Sequence, residues 1–140
     1  WVAPSPNMPT LESALAYPGT CLFEGTPLSV GRGTERAFQW IGAPWLGGPT
    51  LAAALNRYGF EGVSFEAVTF TPTNAGDGKF EGQEVHGVRL LHERSDYDAS
   101  KVAVAMLLEA THALSVPPTV TISNKIWAPF NRPLGQVAVM

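Results

Sequence analysis

The chain is 140 residues long, 45% apolar and 10% aromatic, the size and content of one domain around one core. Its 12 acids against 9 bases leave a formal charge of −3 with no block of like charges, which excludes the electrostatic footprint of a nucleic-acid or anionic-lipid binder. The one cysteine, Cys21, excludes an internal disulfide framework, and no apolar run approaches the roughly 20 residues that span a bilayer.

In chain order, Pro4, Pro6 and Pro9 keep the opening stretch extended, and Thr10 is placed to cap a short helix over Leu11 to Ala16, ended by Tyr17-Pro18-Gly19. Glycine and proline then dominate to Gly48, a long loop region interrupted by a short apolar run at Phe38 to Ile41 that reads as a strand. Thr50 predicts a helix over 50–58, with Leu51, Ala54, Leu55 and Tyr58 on one face and Gly59 as its stop. Val63, Phe65, Ala67 and Thr69 alternate with Ser64, Glu66, Val68 and Phe70 as in a strand, which Pro72 ends. A second strand is expected from Glu84 to Glu93, with a bulge at Gly87. Asp98 or Ser100 caps the best helix, whose stripe is Val102, Met106, Ala110 and Leu114. A further strand is expected at Thr119 to Ile122. These elements do not strictly alternate, which predicts a single α+β domain: a small mixed or antiparallel sheet packed by helices, with a long glycine-rich loop near the N-terminus.

The densest polar cluster lies in that loop. Glu24, Thr26, Ser29, Arg32 and Thr34 fall within eleven residues together with Gly25, Gly31 and Gly33, without core periodicity. Glycines let a backbone approach a ligand, Arg32 offers a rigid fork for carboxylate or sugar oxygens, and Glu24 can accept hydroxyl hydrogens or act as acid or base. The residue types leave a second reading open, in which Glu24 and Arg32 form an ion pair that braces the loop. Gly31-x-Gly33 is no dinucleotide fingerprint, because residue 36 is Arg and no βαβ unit surrounds it.

Other candidates are weaker. Trp40 and Trp45 could stack on a sugar ring, although burial is the commoner fate of tryptophan. His86 and His92, six residues apart, share a strand face, but no acid–histidine motif accompanies them and no metal or cofactor is expected. No Gly-x-Ser-x-Gly elbow is present. Lys79, Glu81, Gln83 and Glu84 read as a solvated loop, with a cleft rim as the alternative.

Several of these segments carry a resemblance. Pro4-Ser-Pro-Asn-Met-Pro-Thr10, Tyr17-Pro-Gly-Thr-Cys-Leu-Phe-Glu-Gly-Thr26, Leu28-Ser29, Gly31-Arg-Gly-Thr34 and Ile41-Gly-Ala-Pro-Trp45 resemble the C-terminal part of the bacterial exo-β-N-acetylmuramidases of peptidoglycan recycling. That family was first catalogued as a domain of unknown function. Weaker echoes in Phe70-Thr-Pro72, Lys79-Phe-Glu-Gly-Gln83 and Tyr97-Asp98 carry the likeness to about residue 114, and residues 116–140 match it poorly.

The resemblance implies that residues 1–140 are the C-terminal domain, or a fragment of it, of a two-domain enzyme. That enzyme is expected in the periplasm or outside the cell, releasing terminal N-acetylmuramic acid from peptidoglycan fragments. An N-terminal Rossmann-like domain of the same polypeptide would form the other wall of the site, and its Pro-Glu-His-Gly stretch has no counterpart here. Glu24 is then the local catalytic candidate and Arg32 the partner of the lactyl carboxylate of muramic acid. Asn7, Thr26, Ser29 and Thr34 would hold hydroxyl and acetamido groups. The alternative is a non-catalytic carbohydrate-binding or interdomain support module.

Overall fold

The computed structural model describes residues 2–113; the expected strand at 119–122 and the tail from residue 116 lie outside them. The strap before helix α1, Leu11–Thr20, is not extended throughout, contrary to expectation, because Met8 N donates to Ser5 O at 2.9 Å and closes a turn over Pro6 and Asn7. Thr10 caps the helix as expected by accepting the Ser13 N–H at 3.1 Å. The helix does not stop at Ala16. It runs through Pro18, whose missing N–H forfeits one helical bond on the exposed side. One tertiary and one local contact hold the extra turn: Gly19 lies so close to the Ala99 carbonyl that a Cβ would collide, and within the helix Thr20 Oγ1 donates to Ala16 O at 2.9 Å. A 3₁₀ turn, Cys21–Gly25, continues the chain.

Strand β1, Trp40–Ala43, begins two residues later than the apolar run suggested, because Phe38 adopts a left-handed φ of 67° that no strand accommodates. Helix α2, Gly48–Asn56, starts two residues before Thr50, since Pro49 fits the first turn of a helix where an N–H is not needed. Its early end leaves Tyr58 outside the helix and exposed, off the face assigned to it, while Gly59 turns the chain at φ 62°.

Strands β2, Val63–Phe70, and β3, Val85–His92, match the expected spans closely, and α3, Ala99–Ala113, is capped by Asp98, whose Oδ1 accepts the Lys101 N–H at 2.9 Å. The sheet is wholly antiparallel in the order β1–β3–β2. Among the described residues the architecture is thus the expected small α+β domain, three helices and a three-stranded sheet.

Register sorts the side chains. Ile41, Ala43, Val63, Phe65, Val88 and Leu90 share the face that joins the helices in the core, with Leu51, Leu55, Val102 and Met106 opposite. The opposite sheet face carries the Trp40–Phe70 ring pair, 5.3 Å between centroids, and the Glu66–Arg89 ion pair at 2.6 Å. The apolar pattern of β2 is only half used, for Ala67 and Thr69 are exposed. Gly87 makes no bulge: pairing runs unbroken through it on both sides. Its glycine is needed because the Ile41 carbonyl of β1 occupies the place of a Cβ, while the Gly87 carbonyl in turn lies 2.6 Å from where a Cβ on Gly48 would be.

Asn56, the last residue of α2, takes both backbone groups of Phe65, donating to its carbonyl at 2.8 Å and accepting its N–H at 3.0 Å. Tyr97 donates its hydroxyl to the Leu15 carbonyl at 3.0 Å, and burial pushes the phenol up to about 12.

Candidate functional site

The loop between the 3₁₀ turn and β1 is tied at both ends. Ser29 and Gly42 exchange backbone hydrogen bonds at 2.8 and 3.1 Å, and Phe38 N donates to Val30 O at 2.6 Å. Between these ties Gly31 and Gly33 take φ of 72° and 78°, values a side chain would strain. Gly33 also abuts residues 73–75: Thr73 N donates to its carbonyl at 3.0 Å, and a Cβ on Gly33 would lie 2.8 Å from Thr73 O. The two left-handed residues turn Arg32 back over the 3₁₀ turn.

There Arg32 Nη2 donates to Glu24 Oε1, with side-chain exposures of 20% and 35% respectively, so the pair is partly covered yet reachable from solvent. The guanidinium also lies 5.2 Å from the centroid of the Phe38 ring, which Tyr17 meets edge-on at 4.8 Å. Phe38 is a bulky residue in a left-handed conformation, a cost the surroundings must offset.

The sequence-predicted residues divide into two groups. Glu24, Thr26, Ser29, Arg32 and Thr34 gather on this one loop, and the three hydroxyls all bond to its backbone. Thr26 Oγ1 donates to Phe23 O at 2.7 Å and accepts Leu28 N–H at 3.2 Å. Thr34 Oγ1 does the same between Gly31 O, 2.7 Å, and Arg36 N, 3.1 Å. Ser29, buried, accepts Gly31 N–H at 3.1 Å. Asn7 stands apart on the strap, its N–H donated to Ser5 Oγ at 3.2 Å. The strap and the loop are nonetheless joined, because Gln39 donates to Thr10 Oγ1 at 3.0 Å and to Ser13 Oγ at 3.1 Å.

Lys79 was missed. It belongs to the cluster that read as a solvated loop, but its ammonium reaches three carbonyls of the site, Glu24 O and Leu28 O at 3.0 Å and Phe23 O at 3.4 Å. Burial holds its pKa below the usual lysine range; Asp77 and Glu24 pull it back up, and Arg32 adds to the depression. The rest of the cluster stays local: Glu81 accepts the N–H groups of Asn74 and Ala75 at 2.6 and 2.9 Å, and Glu84 approaches His86 at 3.4 Å. Lysine next to a turn-rich stretch gives no local sign of such a reach, so no pattern in the sequence could have found it.

Trp40 and Trp45 are half-buried, each against a phenylalanine, and the Trp45 indole N–H is buried without an acceptor among the described residues. His86 and His92 stand at opposite ends of β3, roughly 20 Å apart at strand rise, too far to share an ion. Among the described residues no three His, Cys, Asp or Glu side chains form a metal-binding group, and no helix is long and apolar enough to cross a membrane.

Comparison with known proteins gives this geometry its context. Over 108 residues, 76% of this chain, the sequence is 44% identical to the peptidoglycan β-N-acetylmuramidase NamZ of Bacillus subtilis (strain 168), of which it spans only 25%. Two solved DUF1343 family proteins of Bacteroides fragilis NCTC 9343 share the fold. One has a TM-score of 0.73 and 27% identity over 80% of this chain and 29% of its own, the other 0.53 and 30% over 81% and 29%. The family described as exo-β-N-acetylmuramidase NamZ, C-terminal, matches residues 15–139, and the chain belongs to it.

Proposed function

We propose that this domain supplies one wall of the substrate cleft of a two-domain glycoside hydrolase that releases terminal N-acetylmuramic acid from peptidoglycan fragments, the other wall belonging to an N-terminal domain of the same polypeptide. The observation that carries this reading is the partly exposed Glu24–Arg32 pair, held on a loop whose shape is set by glycines and hydrogen bonds. Beyond its bond to Glu24, Arg32 has further N–H groups with no acceptor among the described residues, suited to a second carboxylate such as the lactyl group of muramic acid.

Glycoside hydrolysis needs two carboxyl groups about the scissile bond. Glu24 takes the role that supports positive charge at the anomeric carbon or draws a proton from water. Proton donation to the leaving oxygen then falls to the other wall. Thr26 and Thr34, both partly exposed, border the sugar with the lone pairs their backbone bonds leave free, Asn7 approaches it from the strap, and the buried Ser29 holds the loop's shape beneath them.

The second reading, a support module with a purely bracing ion pair, is favoured by one observation: Thr26, Ser29, Thr34 and Lys79 all serve the loop's own backbone. The experiment is Glu24→Gln in the complete enzyme, assayed on a muramic acid glycoside. The expected outcome is a fall in kcat of roughly 10²–10⁴. Near-normal turnover removes Glu24 from the chemistry, and a raised KM with unchanged kcat makes the pair a binding element alone.

A further inference from the structure

The α1 helix is inside out for a surface helix. Its buried face consists of Ser13, Ala16, Gly19 and Thr20, all small and half of them polar. The opposite face carries Leu11, Ala14, Leu15 and Pro18, and the 3₁₀ turn extends the same ridge to Leu22, at the spacing i, i+4, i+7, i+11 of one helical stripe. Leu11 is 53% and Leu22 50% exposed, and no polar residue interrupts the ridge. The α3 helix also exposes Val104 and Leu108, but its buried face is the ordinary apolar one of Val102, Ala103, Met106 and Ala110. Among the described helices α1 alone buries no large apolar side chain and turns its leucines outward, an arrangement that fits a helix covered on both sides.

We infer that this ridge is the docking surface for the N-terminal domain of the same polypeptide, an inference that rests on reading the chain as one wall of an interdomain cleft. Three observations favour that occupant. The family is the C-terminal part of longer proteins, and the chain spans 25% of one relative and 29% of each of two others. The strap that enters this domain, stiffened by Pro4, Pro6 and Pro9, runs directly into Leu11, the first residue of the ridge. A domain attached there is held within a few tens of ångströms of the ridge, at an effective concentration a free partner does not reach. The far end of the ridge, Leu22, lies two residues before Glu24, so a body covering it borders the Glu24–Arg32 pair. The proposed second wall is thereby put against the proposed first.

The test is hydroxyl-radical labelling of the full-length enzyme, read residue by residue by mass spectrometry. Leu11 and Leu22 are expected to label several-fold more slowly than half-exposed leucines do. Labelling at the half-exposed rate overturns the proposal. A photoreactive benzoylphenylalanine in place of Leu22 identifies the cover: crosslinks to N-terminal peptides within one polypeptide support it, and crosslinks between two copies overturn it. Neither readout uses turnover, so failure of the Glu24 role and failure of this interface are seen separately.

Discussion

α1 and α2 are helices of ten and nine residues, and they meet the core in opposite ways. α2 buries Leu51, Ala52, Ala54 and Leu55 against β2 and β3, and is held by apolar area removed from water. α1 is held by proximity and hydrogen bonds: the approach of Gly19 to Ala99, the Thr10–Ser13–Gln39 network, and the Tyr97 hydroxyl on Leu15 O. A helix can therefore be integral to this fold without spending its leucines on it, which leaves them for something else.

The largest effect is expected where α2 depends on area. Leu55 is fully buried, and Leu55→Ala should lower stability by about 2–5 kcal/mol in urea unfolding of the 140-residue chain. A loss no larger than that of a surface change would remove the contrast between the helices. α1 should fail in the other direction, by crowding. Ala16 is fully buried beside the close helix contact, so Ala16→Leu is expected to cost about 1–3 kcal/mol by the same measurement, and a neutral result would mean α1 has room to move.

A pH effect follows at the edge of α1. Burial pushes His92 below its usual pKa, and Glu12 on α1 partly opposes the shift. The fold thus favours the neutral ring, and this contribution is complete above the unfolded value of about 6.5 and lost as pH falls through the lower folded value. The melting midpoint should therefore drop on acidification through that range, less so in His92→Gln and more so in Glu12→Gln; a flat response in the unmodified chain contradicts it. The smallest effect belongs to the ridge. Leu11→Ser should change the stability of the 140-residue chain by no more than about 0.5 kcal/mol.

The same contrast explains what the sequence made legible. β3, α3, the first half of β2 and the interior of α2 follow local periodicity, and each is readable because its apolar face is the one that meets the core. α1 was readable at its Thr10 cap but not at its end, because the turn beyond Pro18 depends on Ala99, some 80 positions away, and Ala99 leaves no local trace. β1 was displaced by the left-handed Phe38, a conformation that residue type argues against. In the site, the charges and glycines at residues 24–34 marked the loop and allowed the ion pair as one of two readings, whereas Lys79 joins it through contacts 51 to 56 residues away.

The ties at Ser29 and Asn56 have one more consequence, for how copies of this domain avoid one another. Among the described residues the outer strands of the order β1–β3–β2 each have one edge with no strand beside it, where a foreign strand could add. On β1 both backbone groups of Gly42 are already taken by Ser29, and on β2 both groups of Phe65 are taken by the Asn56 side chain. Each open edge is thus interrupted where a template would need to run on. The candidate site loop doubles as the guard of one of them.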